Sequence, residues 1–343
     1  MNVVIVVDRL DSALGHSALA RKRYEESLVV AANKYPSPRK LLEAVKELNP
    51  GVVLFTFRNI FLDSLSMKSS FSLLRELHDV ATFGLLIPDY LEIENGGYDV
   101  SAVTRSSIDF ILTTNRDLES KYVEKFGDSI PIMTYHDLVD LSQVEPLRNL
   151  DHIEPGRIIW VGNSKWGERH GKNDHKGFRE VISPLLESLL PENTNFKIID
   201  SATKKVKHRQ VLEELSRSSI LLHPSASEGT GLPILEAALM GCFPITTDVG
   251  IAKELLGDYF SFLIADRQVN DFKDAIGRVE GLGYLERQNL VRTAELFVIK
   301  VRQERIPRDL LSSKTTIPHR TGLLQILNLL VRWSYRFVSS WRT

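Results

Sequence analysis

Two glutamates, Glu228 and Glu236, are separated by seven residues: Gly229, Thr230, Gly231, Leu232, Pro233, Ile234 and Leu235. Carboxylates are strong acceptors for hydroxyl groups, and the intervening glycines let the backbone approach a bound molecule closely. Pro233 suits a first helical turn, where its missing N–H leaves nothing unsatisfied. The start of such a helix presents free N–H groups and the positive end of the dipole, worth roughly 0.3–1 kcal/mol toward one anion and up to about 2 when partly buried. That is too little to hold a diphosphate. A cation is therefore expected to assist, and other groups to recognise the rest of the ligand. The plain alternative for the pair alone is a helix-capping Glu228 and a solvated Glu236.

These residues need a scaffold. The run SILLH (219–223) reads as a buried strand ended by Pro224 and Ser225, and LPILEAALMG (232–241) reads as a helix stopping at Gly241. Glu228 then lies on a strand-to-helix loop, with Glu236 about one turn into the helix. Similar apolar runs recur, each followed by a segment of helical periodicity, which predicts βαβ units and parallel sheets. The first series is VVIVV (3–7), VVLFT (52–56), FGLLI (83–87) and DFILT (109–113). The second is RIIWV (157–161), FKII (196–199), SILLH (219–223), PITT (244–247) and FSFLI (260–264). Two α/β domains are expected, over 1–150 and 151–300, followed by a tail over 301–343. The Pro- and Gly-containing segment 142–156 is the expected linker. Ligands in such folds bind at the carboxyl ends of parallel strands and at domain interfaces, which predicts a cleft site.

The bulk composition agrees with a folded chain and excludes several classes. Of 343 residues 43% are hydrophobic, and 43 basic side chains face 44 acidic ones, so overall basicity gives no argument for nucleic-acid binding. The lone cysteine, Cys242, has no internal disulfide partner, and the first residues lack the pattern of a secretory signal. The expected compartment is the cytoplasm. No run reaches about 18 apolar residues, the length of a membrane-spanning helix.

The stretch HPSASEGTGLPILEAALMGCFPITTDVG (223–250) resembles the donor-binding signature of retaining, GT-B fold glycosyltransferases of the glycosyltransferase group 1/family 4 class. Pro224, Ser225, the Glu236-Ala237 pair, Gly241, Pro244 and Gly250 stand in register with it. The resemblance implies two Rossmann-like parallel-sheet domains facing a central cleft. It implies that Glu228 bonds hydroxyls of a donor sugar, that backbone N–H groups around Gly229, Thr230, Gly231 and Leu232 meet the distal phosphates, and that Glu236 grips the ribose diol of a nucleotide-sugar. Hydrogen bonds to a charged group contribute about 1.5–3 kcal/mol.

A second cluster, VGNSKWGERHGKNDHKGF (161–178), follows the run RIIWV. In the resembled class a glycine here is followed by an Arg and later by a Lys-Gly pair, the two cations neutralising the donor diphosphate. Gly162 and Lys176-Gly177 match, but position 163 is Asn. Lys165 and Arg169 are the nearest candidates for the second cation, ranked below Lys176; a solvated charged loop is the plain alternative. With no Asp-x-Asp pair and no His/Cys cluster at metal spacing, neither a metal nor another cofactor is expected. The basic run KKVKHR (204–209) reads as a solvated face, with nearby residues able to touch a nucleotide base.

The amino-terminal half offers weaker signals. His16, Asp89 and Asn115 stand near predicted carboxyl ends of strands as candidates to reach the sugar or acceptor, against plain roles as a loop histidine or helix caps. Pro88 and Asp89 stand where the resembled class often has a histidine. His136-Asp137 is expected to be structural. From Leu310 to Thr343 there is no acidic residue but five Lys or Arg, and residues 321–343 read as a strongly apolar amphipathic helix. Packing across the two domains, a membrane-surface anchor at the inner face of the membrane, and a partner-binding helix all fit that tail.

The expected activity is metal-independent transfer of a sugar from a nucleotide-sugar to a hydroxyl with retention, in cell-envelope polysaccharide or lipid-linked glycan synthesis. The expected partners are the donor, a glycan or lipid-linked acceptor and peripheral membrane, with no nucleic acid. The rivals are a non-catalytic GT-B partner subunit and another enzyme on the same fold, such as a nucleotide-sugar epimerase.

Overall fold

A computed structural model describes residues 2–25, 27–56, 60–61, 63–64, 68–90, 93, 107–168, 171–189 and 195–307 of the chain. They divide into two compact units, with the chain passing from the first to the second between Tyr135 and His136 and rejoining the first at Arg305.

The first unit is built on six parallel strands, β1 (Val3–Val7), β2 (Leu28–Ala31), β3 (Val52–Phe55), β4 (Thr82–Ile87), β5 (Phe110–Thr113) and β6 (Ile132–Thr134), in the order β2-β1-β3-β4-β5-β6. Successive side chains point to opposite faces of a strand. Val4 and Val6 accordingly join one core with Val53, Phe55, Phe83 and Leu85, while Ile5 and Val7 join another with Val52, Leu54, Leu86 and Phe110. Apolar cover on both faces is why these strands read as continuous β-branched runs. The crossover helices carry their own start signals. Ser37 caps Pro38–Glu47 by accepting from the Lys40 N–H, and Asn115 caps Arg116–Phe126 by accepting from the Leu118 N–H at 2.7 Å.

The second unit holds four parallel strands, β7 (Ile158–Gly162), β8 (Phe196–Asp200), β9 (Ile220–His223) and β10 (Phe243–Thr246), in the order β10-β9-β7-β8. The middle strands β7 and β9 pair directly, which brings together the loops that follow them. The helix Leu232–Met240 after β9 is buried along its whole length from Ile234 to Met240, as an almost entirely apolar helix must be. It ends at Gly241, whose φ of +77° is readily adopted by glycine.

Three local expectations are corrected. FSFLI (260–264) is no strand: Ser261–Leu263 forms a 3₁₀ turn, and Ile264 makes a single parallel bridge to Thr246. Phe260 and Leu263, three residues apart, are both buried, a spacing that suits a turn of helix and not a two-residue strand repeat. The strands β2 and β6, edge strands of four and three residues with half-buried positions, were missing from the sequence pattern. The segment 142–156 is not a free linker either. Val144 is buried, Arg148 pairs with Glu295 at 2.6 Å, and Leu150 lies against Gly241, all within the second unit. Of the 301–343 segment residues 301–307 are described, the first two of them ending the helix Tyr284–Arg302, and the tail 321–343 lies outside the described residues.

Candidate functional site

The β9-to-helix loop is held by contacts that need its glycines. Gly231 sits at φ +72° as the helix begins, with Pro233 in the first turn. Gly250, at φ +58°, packs so tightly that a Cβ there would lie 2.3 Å from the Thr230 carbonyl oxygen, and that carbonyl accepts the Ile251 N–H at 3.1 Å. The Thr230 hydroxyl donates to the buried Asp137 carboxylate. Loop and helix start are thus fixed from two sides.

The structure brings Lys176 onto Glu228. Their side chains form an ion pair, 16% and 14% exposed, and His223 Nε2 lies 3.1 Å from the same Glu228 oxygen. Burial alone would raise the Glu228 carboxyl, but Lys176 and His223 outweigh it and hold it well below the usual carboxylate range. Lys176 also lies 5.2 Å from the centroid of the Trp166 ring. Beside it, His175 is lowered to about 4, by burial and by the Lys176 charge. The neutral ring donates from Nε2 to the Ser227 carbonyl at 2.7 Å and packs on Trp166.

The loop after β7 is locked to the loop after β9. Gly177, at φ +68°, leaves no room for a Cβ, which would sit 2.3 Å from the Pro224 carbonyl oxygen. Arg267 donates from Nε to that same carbonyl at 2.9 Å and from Nη2 to the Asp174 carbonyl, while Nη1 meets Glu180 at 2.6 Å. Asp174 in turn accepts the backbone N–H groups of Arg179 and Glu180 at 2.9 and 2.8 Å, starting the π-helical turn Phe178–Ile182. Arg267, His175 and His223 escaped sequence reasoning; His175 stands beside Lys176 and His223 ends the β9 run, whereas Arg267 carries no such signal.

Gly162 closes β7, where a Cβ would meet the Trp160 ring at 2.6 Å. Asn163 uses its side-chain oxygen to accept the Lys165 N–H at 3.0 Å, and the Lys165 side chain is exposed. Arg169 lies outside the described residues. Asp200, at the end of β8, anchors the neighbouring turn by accepting the Ser164 N–H and hydroxyl at 3.0 and 2.7 Å.

Glu236 is the one charged residue in its buried helix, and His208 meets it: Nε2 lies 2.7 Å from Oε1. Burial lowers the His208 pKa, but the carboxylate outweighs it and the net direction is upward. Of the basic run 204–209, Lys204, Lys205, Lys207 and Arg209 are exposed as expected, whereas His208 turns inward.

In the first unit, His16 lies half-buried on the helix Ala13–Glu25, and Asp89 follows β4. Asn115 is fully buried as a helix cap that also accepts from the Tyr90 hydroxyl at 3.2 Å. His136, expected to be structural, is clasped by Glu304 at 2.6 Å and Glu254 at 3.1 Å within the second unit.

Residues 190–299 match the profile of the glycosyl transferases group 1 family. The match covers about a third of the chain. It contains the Glu228 loop, Glu236, His208 and Arg267, while Lys176 and the loop after β7 lie before it. No curated protein matches the chain. Among solved structures, Anabaena HepE in complex with UDP and glucose superposes with a TM-score of 0.59 at 12% identity, over 88% of this chain and 97% of that one. The catalytic domain of Arabidopsis thaliana starch synthase IV bound to ADP and acarbose gives 0.58 at 10% identity, over 96% and 98%. The E. coli structure described as trehalose-6-phosphate bound with UDP-2-fluoro glucose gives 0.55 at 9% identity, over 89% and 100%. The two parallel sheets are those of the GT-B fold.

Proposed function

We propose that this glycosyltransferase moves a sugar from a nucleotide-sugar donor to a hydroxyl acceptor with retention of anomeric configuration and without a metal. The observation that carries the reading is the Lys176–Glu228 ion pair at the start of the Leu232–Met240 helix, with Glu236 one turn further on. In the free protein the Lys176 charge is matched by Glu228. A donor diphosphate at the helix start offers Lys176 a doubly charged partner, which frees Glu228 to accept hydroxyls of the donor sugar. Glu236 accepts the ribose hydroxyls. As the bond to the anomeric carbon breaks, negative charge grows on the leaving phosphate, where Lys176 and the backbone N–H groups of Thr230, Gly231 and Leu232 stabilise it most. The same phosphate takes the proton of the incoming acceptor hydroxyl, so no separate protein base is needed.

His16, Asp89 and Asn115 are proposed for the sugar and acceptor side; the buried capping role of Asn115 makes it the weakest of the three. The proposed acceptor is a cell-envelope polysaccharide or lipid-linked glycan, reached through peripheral contact of the 321–343 segment with the inner face of the membrane. The UDP and ADP complexes of the structural neighbours set the first probes. Calorimetry with UDP-, ADP- and GDP-sugars, followed by donor hydrolysis and NMR of the product anomer, tests the reading. Binding of none of these donors would refute it. A second reading, a non-catalytic GT-B partner subunit, draws on Asn163, whose side chain serves a backbone turn where the resembled class carries a cation. Absence of donor binding would favour that one, and a product epimerised without transfer would favour an epimerase.

A further inference from the structure

Glu236 is the only ionisable side chain in a helix turn otherwise packed with apolar residues, and its side chain is 6% exposed. A carboxylate in such a place needs a partner. His208 supplies it from a different element, the first turn of the helix His208–Leu215 that follows β8, through a single hydrogen bond from Nε2 to Oε1 at 2.7 Å. The other oxygen, Oε2, has no hydrogen-bond partner among the described residues. One oxygen is fixed and the other is left over.

We infer that His208 is a positioning residue for the donor: it pins Oε1 so that the carboxylate plane is set before the nucleotide arrives and Oε2 stands ready for a ribose hydroxyl. The inference rests on the proposed ribose role of Glu236. A glutamate side chain has several rotamers, and a ligand that must first order them binds less tightly than one that meets a preset carboxylate. His208 therefore acts on affinity without touching the ligand. Its effect requires the ribose hydroxyls, which separates positioning from a general role in folding.

The test uses the full chain and whichever of UDP, ADP and GDP binds it in calorimetry. His208→Ala is expected to weaken that nucleotide about five- to tenfold, less than the full worth of one hydrogen bond to a charged group because His208 acts only through Glu236. His208→Gln, whose amide N–H reaches about as far as Nε2, is expected to restore affinity to within about twofold. With the 2′,3′-dideoxy form of the same nucleotide, His208→Ala and the unaltered protein are expected to bind equally. An equal loss for ribo and dideoxy forms, or no loss for either, overturns the inference. Glu236→Ala keeps the two readings apart: weakened binding there with His208→Ala unchanged sinks the positioning role alone, whereas unchanged binding there sinks the ribose role and this inference with it.

Discussion

Replacing Lys176 by methionine removes the cation from the Glu228 pair while keeping most of the side-chain volume. Exposed pairs contribute about 0–1 kcal/mol, whereas stripping one partner from a fully buried pair costs about 3–5. Here the side chains are 16% and 14% exposed, and His223 still shares the Glu228 oxygen at 3.1 Å. The expected loss therefore lies between the limits, about 2 kcal/mol. For a folded unit of this size each kcal/mol shifts Tm by about 2–4 °C, so a fall of about 4–8 °C is expected by calorimetric or circular-dichroism melting at pH 7. The double variant Lys176→Met with Glu228→Gln removes the stranded charge and is expected to recover at least half of that fall, yet to bind a nucleotide-sugar no better than the single variant. The pH dependence has a definite sign. Glu228 is depressed in the fold, so the pair stabilises fully above the unfolded carboxyl value of 4.5 and its contribution is lost as pH falls through the folded value. A single variant as stable as the parent, or a double variant less stable than the single, would refute the account of a buried, mutually compensating pair.

Three further perturbations test the surrounding frame. His136, raised to about 9 against the opposing effect of burial by Glu254 and Glu304, gives stability that is complete below 6.5 and is lost as pH rises through about 9; urea unfolding between pH 6 and 10 should show that decline in the parent and a flatter profile in His136→Gln. Gly250→Ala places a Cβ 2.3 Å from the Thr230 carbonyl oxygen at φ +58°, and should lower Tm and weaken donor binding together, by roughly 2 kcal/mol or more in stability. Arg267→Met unlocks the Pro224 and Asp174 carbonyls; donor affinity in calorimetry should fall about tenfold, a loss of the size of one charged hydrogen bond.

What the sequence disclosed and what it withheld divide along physical lines. Strands β1, β3, β4, β5, β7, β9 and β10 were legible because both faces of a parallel strand are buried, leaving apolar runs; β8 was legible from its Phe196 and Ile198-Ile199 although Ile198 is exposed. FSFLI carries the same composition, but composition alone does not choose between a strand and a turn of helix. Gly231 and Pro233 marked the loop and helix start of the candidate site, since each constrains the backbone in a way few other residues do. The partners were hidden because they are distant along the chain: Lys176 and Glu228 are 52 residues apart, Asp174 and Arg267 93, and His208 and Glu236 28. In the run KKVKHR, exposed and inward-turning residues alternate within six positions, and nothing local singles out His208 as the one facing a carboxylate.

The clasp between His136 and Glu304 joins the first and last residues of the second unit, the His136 backbone N–H donating to a Glu304 oxygen at 2.9 Å. A stretch whose two ends touch can be lifted out of its host chain, or reopened elsewhere and rejoined head to tail, with little disturbance to its interior. Residues 136–304 thus have the form of a self-contained cassette, and expressing them alone, or circularly permuted through a short bridge between the old ends, offers a direct way to study the candidate site by itself.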